Sequence, residues 1–180
     1  LQIIDQSEQV NDLANSVPDS GGVMLVPAFT GWGTPHWDPQ ARGVLVGLTR
    51  DSQRGHIARA ALEGIALSVA TLVELAEAAL GTRLGELAVD GGAAASDPLL
   101  QAQADCTGLT VRRPASLEST ARGVALFAGV QAGVVDDLNH LVPNRGDGAQ
   151  RFHPQIDTTQ RNRWRSRWND AVNRSLGWHG

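Results

Sequence analysis

Three consecutive residues, Asp90, Gly91 and Gly92, have the types and the order expected at a nucleotide-binding turn. They follow an apolar stretch at 87–89 that predicts a buried strand, and a helix is predicted soon after them. Adjacent glycines let a ligand approach the backbone, since no side chain stands in the way. A helix start offers free N–H groups and a positive dipole end, which suit a phosphate or a polar ring edge. Asp90 either binds a metal-coordinated water or fixes the turn. Gly-Gly turns are common, so the motif alone leaves a nucleotide site and an ordinary turn both open.

The elements that must hold this turn alternate between strands and helices. Apolar runs predict strands at 23–26, 44–46, 87–89 and 110–111. Apolar spacing and capping residues predict helices at 52–80, from Ser96 or Asp97 onward, from Ser119 or Thr120 to Gln131, and from Asp157 onward. Residues 1–4 are expected to end a helix. This alternation indicates an α/β domain with at least some parallel strand pairing.

Two of the predicted helices carry a further signal. Gly64, inside the helix at 52–80, costs about 1 kcal/mol relative to alanine, which indicates close packing against a neighbour. The segment at 161–168 combines arginine with tryptophan, a composition also seen in single-strand nucleic-acid binding. Helical spacing places Trp164 and Trp168 on one stripe, however, which favours a packing helix over a nucleic-acid surface.

Composition narrows the function classes. The chain has 180 residues, 42% of them hydrophobic, which indicates a globular protein. Its net charge of −4 gives no general reason to bind nucleic acid. No apolar run approaches the roughly 18 residues of a membrane helix, and no leader follows Leu1, so we expect a soluble, trimmed segment. A single cysteine, Cys106, excludes an internal disulfide and fits a reducing cytoplasm. All 15 basic residues are arginine, so Walker-type phosphate loops and Schiff-base chemistry are excluded.

Motifs along most of the chain resemble one family. The pattern at 43–48 and 56–63, separated by seven residues, fits a signature of the FGGY carbohydrate kinases. Segments similar to the branch of that family that phosphorylates glycerol occur at 26–31, 35–43, 89–93 and 101–105. The resemblance runs from about Val23 to Gly133 and returns weakly at 158–162.

The resemblance implies the carboxy-terminal half of a ribonuclease-H-like, actin-like α/β fold, with a mixed sheet flanked by helices. Gly92 matches a nucleotide contact of the family, and Gly91 stands beside it. Ser96 stands where these kinases usually have asparagine, so it loses the two-ended hydrogen bonding of an amide. Arg122 stands where an apolar residue is usual. We therefore predict cofactor-binding residues Gly91, Gly92 and Ser96, with no catalytic and no metal-binding residue in this chain.

The activity implied by the resemblance is phosphorylation of glycerol by Mg²⁺ and ATP in the intact enzyme. The catalytic aspartate, the polyol site and most Mg²⁺ contacts of the family lie before this chain, so we expect it to be inactive alone. The expected partners are ATP or ADP, and glycerol through the amino-terminal domain. We expect a cytoplasmic homo-oligomer without nucleic-acid or membrane partners. Two alternatives stay open: another FGGY kinase acting on a pentulose, and a non-catalytic actin-like binding or assembly domain.

Other polar residues receive structural interpretations. His56 is expected in the first turns of its helix, Glu63 is expected to pair with Arg59 four residues away, and Cys106 is expected in the core. The loop at 32–38, which holds two tryptophans, is left open between packing and a role near the substrate.

The chain is divided into three segments by the extent of the resemblance. Residues 1–22 are interpreted as the end of a preceding helix and a linker, 23–138 as the nucleotide-binding domain, and 139–180 as a tail with a terminal helix.

Overall fold

A computed structural model describes residues 3–135 and 148–178 of the chain. Its elements run in the order α1 (Gln9–Asn15), β1 (Met24–Val26), β2 (Val44–Val46), α2 (Arg54–Leu80), β3 (Glu86–Ala88), a 3₁₀ turn (Gly92–Ala95), α3 (Asp97–Thr107), β4 (Thr110–Arg113), α4 (Ser119–Gln131), β5 (Gln150–Phe152) and α5 (Thr158–Ser175). The predicted alternation of strands and helices is confirmed. Residues 136–147, between α4 and β5 in the sequence, lie outside the described residues.

The strands form two small sheets. Strands β1 and β2 pair antiparallel, with Leu25 opposite Leu45. The second sheet has the order β3-β4-β5, in which β3 and β4 are parallel and β4 and β5 are antiparallel. Val111 lies opposite both Leu87 and Phe152 and is fully buried. The expected parallel pairing is therefore confirmed, within a mixed sheet.

Helix α2 lies at the centre of the main core. It packs against α1, α3 and β1 through buried residues that include Leu62, Ala66 and Leu67. Gly64 faces β1 so closely that a Cβ atom at this position would lie 2.1 Å from the carbonyl oxygen of Leu25. The packing predicted from this glycine is confirmed, because only a residue without a side chain lets the helix approach the strand.

Helix α2 is also the one helix among the described residues that is long and apolar enough to cross a membrane. Its most apolar 18-residue window has a mean hydropathy of 1.4, and half of that window is buried within this chain. A core helix meets the same two criteria, and α2 contacts four other elements of the fold, α1, α3, α5 and β1.

The beginning of the chain differs from the prediction. Ile3 and Ile4 are not helical, and the first helix is α1, which starts at Gln9. The side chain of Gln9 accepts a hydrogen bond from the backbone N–H of Asp5, which closes a turn before the helix. Ala14 is fully buried against α2, and α1 therefore belongs to the core. Leu1 and Gln2 lie outside the described residues.

Helix α5 confirms the predicted terminal helix. The carboxylate of Asp157 caps it by accepting from the N–H of Gln160 at 2.7 Å. Trp168 is 2% exposed, and its indole N–H donates to the hydroxyl of Thr71 at 3.2 Å. Helices α1 and α5 thus share one core with α2, although they come from the two segments that flank the predicted domain. The position of the domain boundaries stays a prediction.

Helix α4 has a different N-cap residue from the expected Ser119 or Thr120. Its N-cap residue is Glu118, whose side chain makes no capping hydrogen bond, so neither Ser119 nor Thr120 caps the helix. No described residue of α4 is buried, and Arg122 lies at its exposed surface. The exposure of Arg122 is consistent with its residue type, since a long charged side chain keeps its charged end in water.

Candidate nucleotide-binding site

The turn that carries Asp90, Gly91 and Gly92 leaves the sheet at the carboxyl end of β3. The backbone N–H of Val89 still donates to the carbonyl of Arg112 on β4, at 3.1 Å. Gly91 then turns away with φ +81°, in the left-handed region that favours glycine, and its N–H donates to the carbonyl of Leu117. In open α/β sheets, ligands bind outside the carboxyl ends of parallel strands. The turn therefore lies where the fold offers a binding site.

The backbone of this turn is open to its surroundings. No atom lies within 4 Å of the place where a Cβ would stand on Gly91 or on Gly92. Beside Gly92 lies a cleft of about 310 Å³, walled by the 3₁₀ turn, by α2 through Leu62 and Ile65, and by α1 through Asn11. No side chain of the described chain plugs the turn, so the two glycines leave room for a ligand.

Ser96 closes one wall of this cleft. It is 9% exposed, and its hydroxyl caps α3 by accepting from the N–H of Leu99 at 3.3 Å, which decides for Ser96 over Asp97 as the cap. The same hydroxyl donates to Oδ1 of Asn11 at 2.5 Å. Its single proton is therefore committed within the protein, and only a lone pair is left for a ligand. Nucleotide binding by Gly91, Gly92 and Ser96 stays a prediction.

Asn11 is the residue of this cleft that the sequence analysis missed. It lies on α1, where residues 1–22 were assigned to a helix end and a linker. A weak signal was present, because Val10, Leu13 and Ala14 repeat at the three- and four-residue spacing of a buried helix face over less than two turns. The contact with Ser96 joins residues 85 positions apart and has no local signature.

Asp90 lies in a recess of about 270 Å³ next to the turn, which it shares with Arg112 and Ser119. Within residues 3–135 and 148–178, no group of three or more His, Cys, Asp or Glu side chains is arranged to hold a metal ion. The described residues alone therefore offer no metal site built from three or more such side chains, and the role of Asp90 stays open.

Glu63 is a buried structural carboxylate. It is 3% exposed, and Arg59 donates to it through Nε at 2.9 Å, which confirms the pair expected from the four-residue spacing. Burial is the largest influence and raises the pKa of Glu63 above its ordinary value, while hydrogen bonds from Arg59 and Ser20 lower it and the charge of Asp19 raises it. Removal from water therefore outweighs the pairing.

We expect Glu63→Gln to change the free energy of unfolding at pH 7 by no more than about 1 kcal/mol relative to the unchanged protein, and not to lower it. The free energy of unfolding of the variant should also depend less on pH. Because the folded pKa is raised, the favourable contribution of Glu63 is complete below the ordinary value of 4.5 and is lost as pH rises through the folded pKa. Urea unfolding between pH 4.5 and 7 measures this slope.

Glu86→Gln is the matched control for this prediction. A hydrogen bond from Arg112 is the largest influence on Glu86 and lowers its pKa, so its contribution is present at neutral pH and is lost on acidification. Replacing Glu86 should therefore lower stability at pH 7. Equal pH slopes for the unchanged protein and for Glu63→Gln would contradict the assignment of a raised pKa.

Two further polar residues have structural roles. Nδ1 of His56 accepts from the backbone N–H of Gln53 at 3.0 Å, as part of the capping box that begins α2. Cys106 is 1% exposed, and burial raises the pKa of its thiol, so it is an unreactive core residue. Both expectations are confirmed.

The two tryptophans of the loop at 32–38 have different environments, since Trp32 is packed and Trp37 is exposed. Trp32 packs against Trp168, with ring centroids 5.9 Å apart. Trp37 is 76% exposed, has φ +51° and borders an open recess of about 340 Å³. Packing is the role of Trp32, and the function of Trp37 stays open.

Arg161 and Arg167 of α5 bind main-chain oxygens elsewhere in the described chain. Nε of Arg161 donates to the carbonyl of Asp105 at 2.8 Å, and Arg167 donates to the carbonyl of Gly22 at 2.5 Å. With Trp168 turned inward, this is the arrangement of a packing helix.

The fold and this turn define a carboxy-terminal kinase domain of the ribonuclease-H-like, actin-like class. A family model described as "FGGY family of carbohydrate kinases, C-terminal domain" matches residues 2–132. The chain belongs to the FGGY family of carbohydrate kinases.

Individual relatives agree with this assignment. The chain is 51% identical over 178 residues to a glycerol kinase of Trichlorobacter lovleyi and 48% identical to one of Citrifermentans bemidjiense, covering 99% of this chain and 36% of each relative. Among solved structures, Plasmodium falciparum glycerol kinase with ADP has a TM-score of 0.84 at 31% identity, over 97% of this chain and 35% of that one. Xylulose kinase from Rhodospirillum rubrum has a TM-score of 0.66 at 26% identity, over 92% of this chain and 32% of that one. The chain thus spans about a third of the length of these relatives.

Proposed function

We propose that this chain is the ATP-side domain of a kinase that transfers the γ-phosphoryl group of ATP to glycerol and produces glycerol 3-phosphate. The observation that carries the proposal is the open turn at Gly91 and Gly92, beside a cleft at the carboxyl end of β3. Identity of 51% to a relative named glycerol kinase supports glycerol as the acceptor. The ADP in the Plasmodium falciparum structure supports an adenine nucleotide as the donor.

In this function the chain binds and orients the nucleotide. The bare backbone at Gly91 and Gly92 lets the adenosine side come close, and the apolar residues Leu62 and Ile65 shield it from water. Phosphoryl transfer further needs a base for the acceptor hydroxyl and positive charge around the phosphates, which Mg²⁺ supplies in kinases. We place the catalytic aspartate, the glycerol site and most Mg²⁺ contacts in an amino-terminal part, as the family resemblance implies. The chain alone is therefore expected to be inactive.

The setting of the protein is part of the same proposal. A cytoplasmic location fits a chain whose single cysteine is buried and unpaired. We propose a homo-oligomer, with ATP or ADP and glycerol as its small-molecule partners and without nucleic-acid or membrane partners.

A transfer assay tests the function and its main alternative together. A form of the protein that also carries the amino-terminal part present in its relatives should phosphorylate glycerol with ATP, at a higher kcat/KM than xylulose or ribulose. The 180-residue chain alone should transfer nothing. A preference for a pentulose would replace the acceptor, and nucleotide binding without any transfer would favour the non-catalytic actin-like domain.

A further inference from the structure

The cleft beside Gly92 has the character of a site for a largely apolar part of a ligand. Its walls are mainly apolar, from Val10, Leu62, Ile65 and Leu99, together with the small residues of the 3₁₀ turn. Pockets for small ligands are typically apolar, with a few polar groups that fix orientation. The polar groups among the lining residues therefore decide what the cleft recognises.

Asn11 is held in a defined orientation at this cleft. Its Oδ1 accepts from the hydroxyl of Ser96 at 2.5 Å, and Ser96 is itself fixed because it caps α3. Among residues 3–135 and 148–178, the amide nitrogen of Asn11 makes no hydrogen bond, so its two N–H groups are available to a ligand in the cleft that Asn11 lines. An amide whose oxygen is tied down has lost the freedom to rotate, which lowers the entropy cost of binding.

The other polar side chains of the cleft are less suited to this role. The hydroxyl of Ser96 already donates its only proton to Oδ1 of Asn11 in a hydrogen bond. The hydroxyl of Ser7 donates to the carboxylate of Glu8 at 3.0 Å. Glu8 is anionic at neutral pH, since hydrogen bonds lower its pKa, and a carboxylate near nucleotide phosphates is repelled by them. Asn11 is the neutral donor that is left.

We propose that Asn11 recognises the base of the bound nucleotide by donating from its amide nitrogen to a ring nitrogen of the purine. This inference rests on the proposed function, because it needs the nucleotide at the open turn. Ser96 acts as the positioning residue, since it holds the oxygen of Asn11 and thereby directs the N–H groups into the cleft.

A purely structural role for Asn11 makes a different prediction. If Asn11 only joins α1 to α3, any residue that keeps the hydrogen bond from Ser96 should serve equally well. Asn11→Asp keeps an oxygen for Ser96 and removes both N–H donors, so it separates the two roles. Asn15→Asp adds the same charge on the same helix, at an exposed position that does not line the cleft.

The test is calorimetric titration of the 180-residue chain with ADP and with its 1-deaza, 3-deaza and 7-deaza analogues, each of which lacks one ring nitrogen. The unchanged chain and Asn15→Asp should bind one of these analogues about threefold to tenfold more weakly than ADP, as expected for one neutral hydrogen bond. Asn11→Asp should bind that analogue as well as it binds ADP, and should bind ADP more weakly than Asn15→Asp does.

The outcomes distinguish this inference from the function on which it rests. If Asn11→Asp keeps the same penalty as the unchanged chain, or if no analogue is penalised in the unchanged chain, the assignment of Asn11 is overturned while nucleotide binding stands. If the unchanged chain binds no ADP at millimolar concentration, nucleotide binding by this chain alone and the assignment of Asn11 are both overturned, while phosphoryl transfer is judged by the assay with the amino-terminal part. Thermal unfolding of both aspartate variants checks that each is folded at the temperature of the titration.

Discussion

Gly64→Ala is expected to destabilise the protein by about 3 kcal/mol or more, at the upper end of overpacking effects. The added Cβ would lie 2.1 Å from the carbonyl oxygen of Leu25, a contact between two backbones that no side-chain rotation relieves. The helix must therefore move away from β1, and the buried residues that α2 shares with this strand would lose their packing. Urea unfolding followed by circular dichroism measures the loss.

Gly123→Ala is a control with the same substitution, for which we expect a change in stability of the opposite sign. Gly123 is inside α4, and no atom lies within 4 Å of its Cβ position. Alanine should therefore stabilise the protein, by about 0.4–1 kcal/mol, because it is the better helix former. If Gly64→Ala were as stable as Gly123→Ala, the close approach of α2 to β1 would be wrong.

Trp168→Ala is expected to cost about 3–5 kcal/mol, the range for removing a large aromatic side chain from a core. Trp168 is 2% exposed, packs against Trp32 and donates its indole N–H to Thr71 on α2. The substitution leaves a cavity and also removes the donor to the Thr71 hydroxyl. Chemical denaturation monitored by far-ultraviolet circular dichroism gives the value without relying on tryptophan emission.

Trp178→Ala is the control for Trp168→Ala, because it removes the same residue type from an exposed position shortly after α5. Trp178 is 54% exposed, so its removal should change stability by no more than about 0.5 kcal/mol. Equal effects of the two substitutions would mean that α5 does not belong to the core, and that the segment after 138 is a separate tail.

The parts of the fold that depend on local chemistry could be predicted from the sequence. Helix α2 has a sustained apolar period and ends at Gly81, which adopts the left-handed conformation expected of a helix C-cap. Ser96 or Asp97 was predicted to begin one helix and Asp157 another, from their position before a helical pattern, and the side chains of Ser96 and Asp157 accept the N–H expected of a cap. These signals lie within one turn of the residue that carries them.

Elements held by tertiary contacts were missed or shifted. Strand β5 was not predicted, since only Phe152 of its three residues is buried and no alternation is visible. Helix α1 has seven residues, too few for a strong periodic signal, and is stabilised by packing on α2. Strand β3 occurs at Glu86–Ala88, one residue earlier than predicted, because its register is set by pairing with β4.

The candidate site divides in the same way. Asp90, Gly91 and Gly92 could be identified as a turn after a strand because the residue types themselves carry the signal. That the turn is open, with a cleft beside Gly92, follows from how α1 and α2 lie around it. The position of Asn11 in that cleft could not be predicted, since it depends on a contact with Ser96, which is 85 positions away in the sequence.

The most direct test of the open turn is the affinity of the 180-residue chain for ADP with Gly92 replaced by valine. The Cβ at this position meets no atom within 4 Å, so the variant should fold, while its branched side chain occupies the space that the nucleotide needs. We predict that Gly92→Val raises the Kd for ADP at least about tenfold, or 1.4 kcal/mol, in calorimetric titration. Gly85→Val, at an exposed glycine with equally open surroundings outside the cleft, should leave the Kd unchanged. Equal affinity of Gly92→Val and the unchanged chain for ADP would contradict nucleotide binding at this turn.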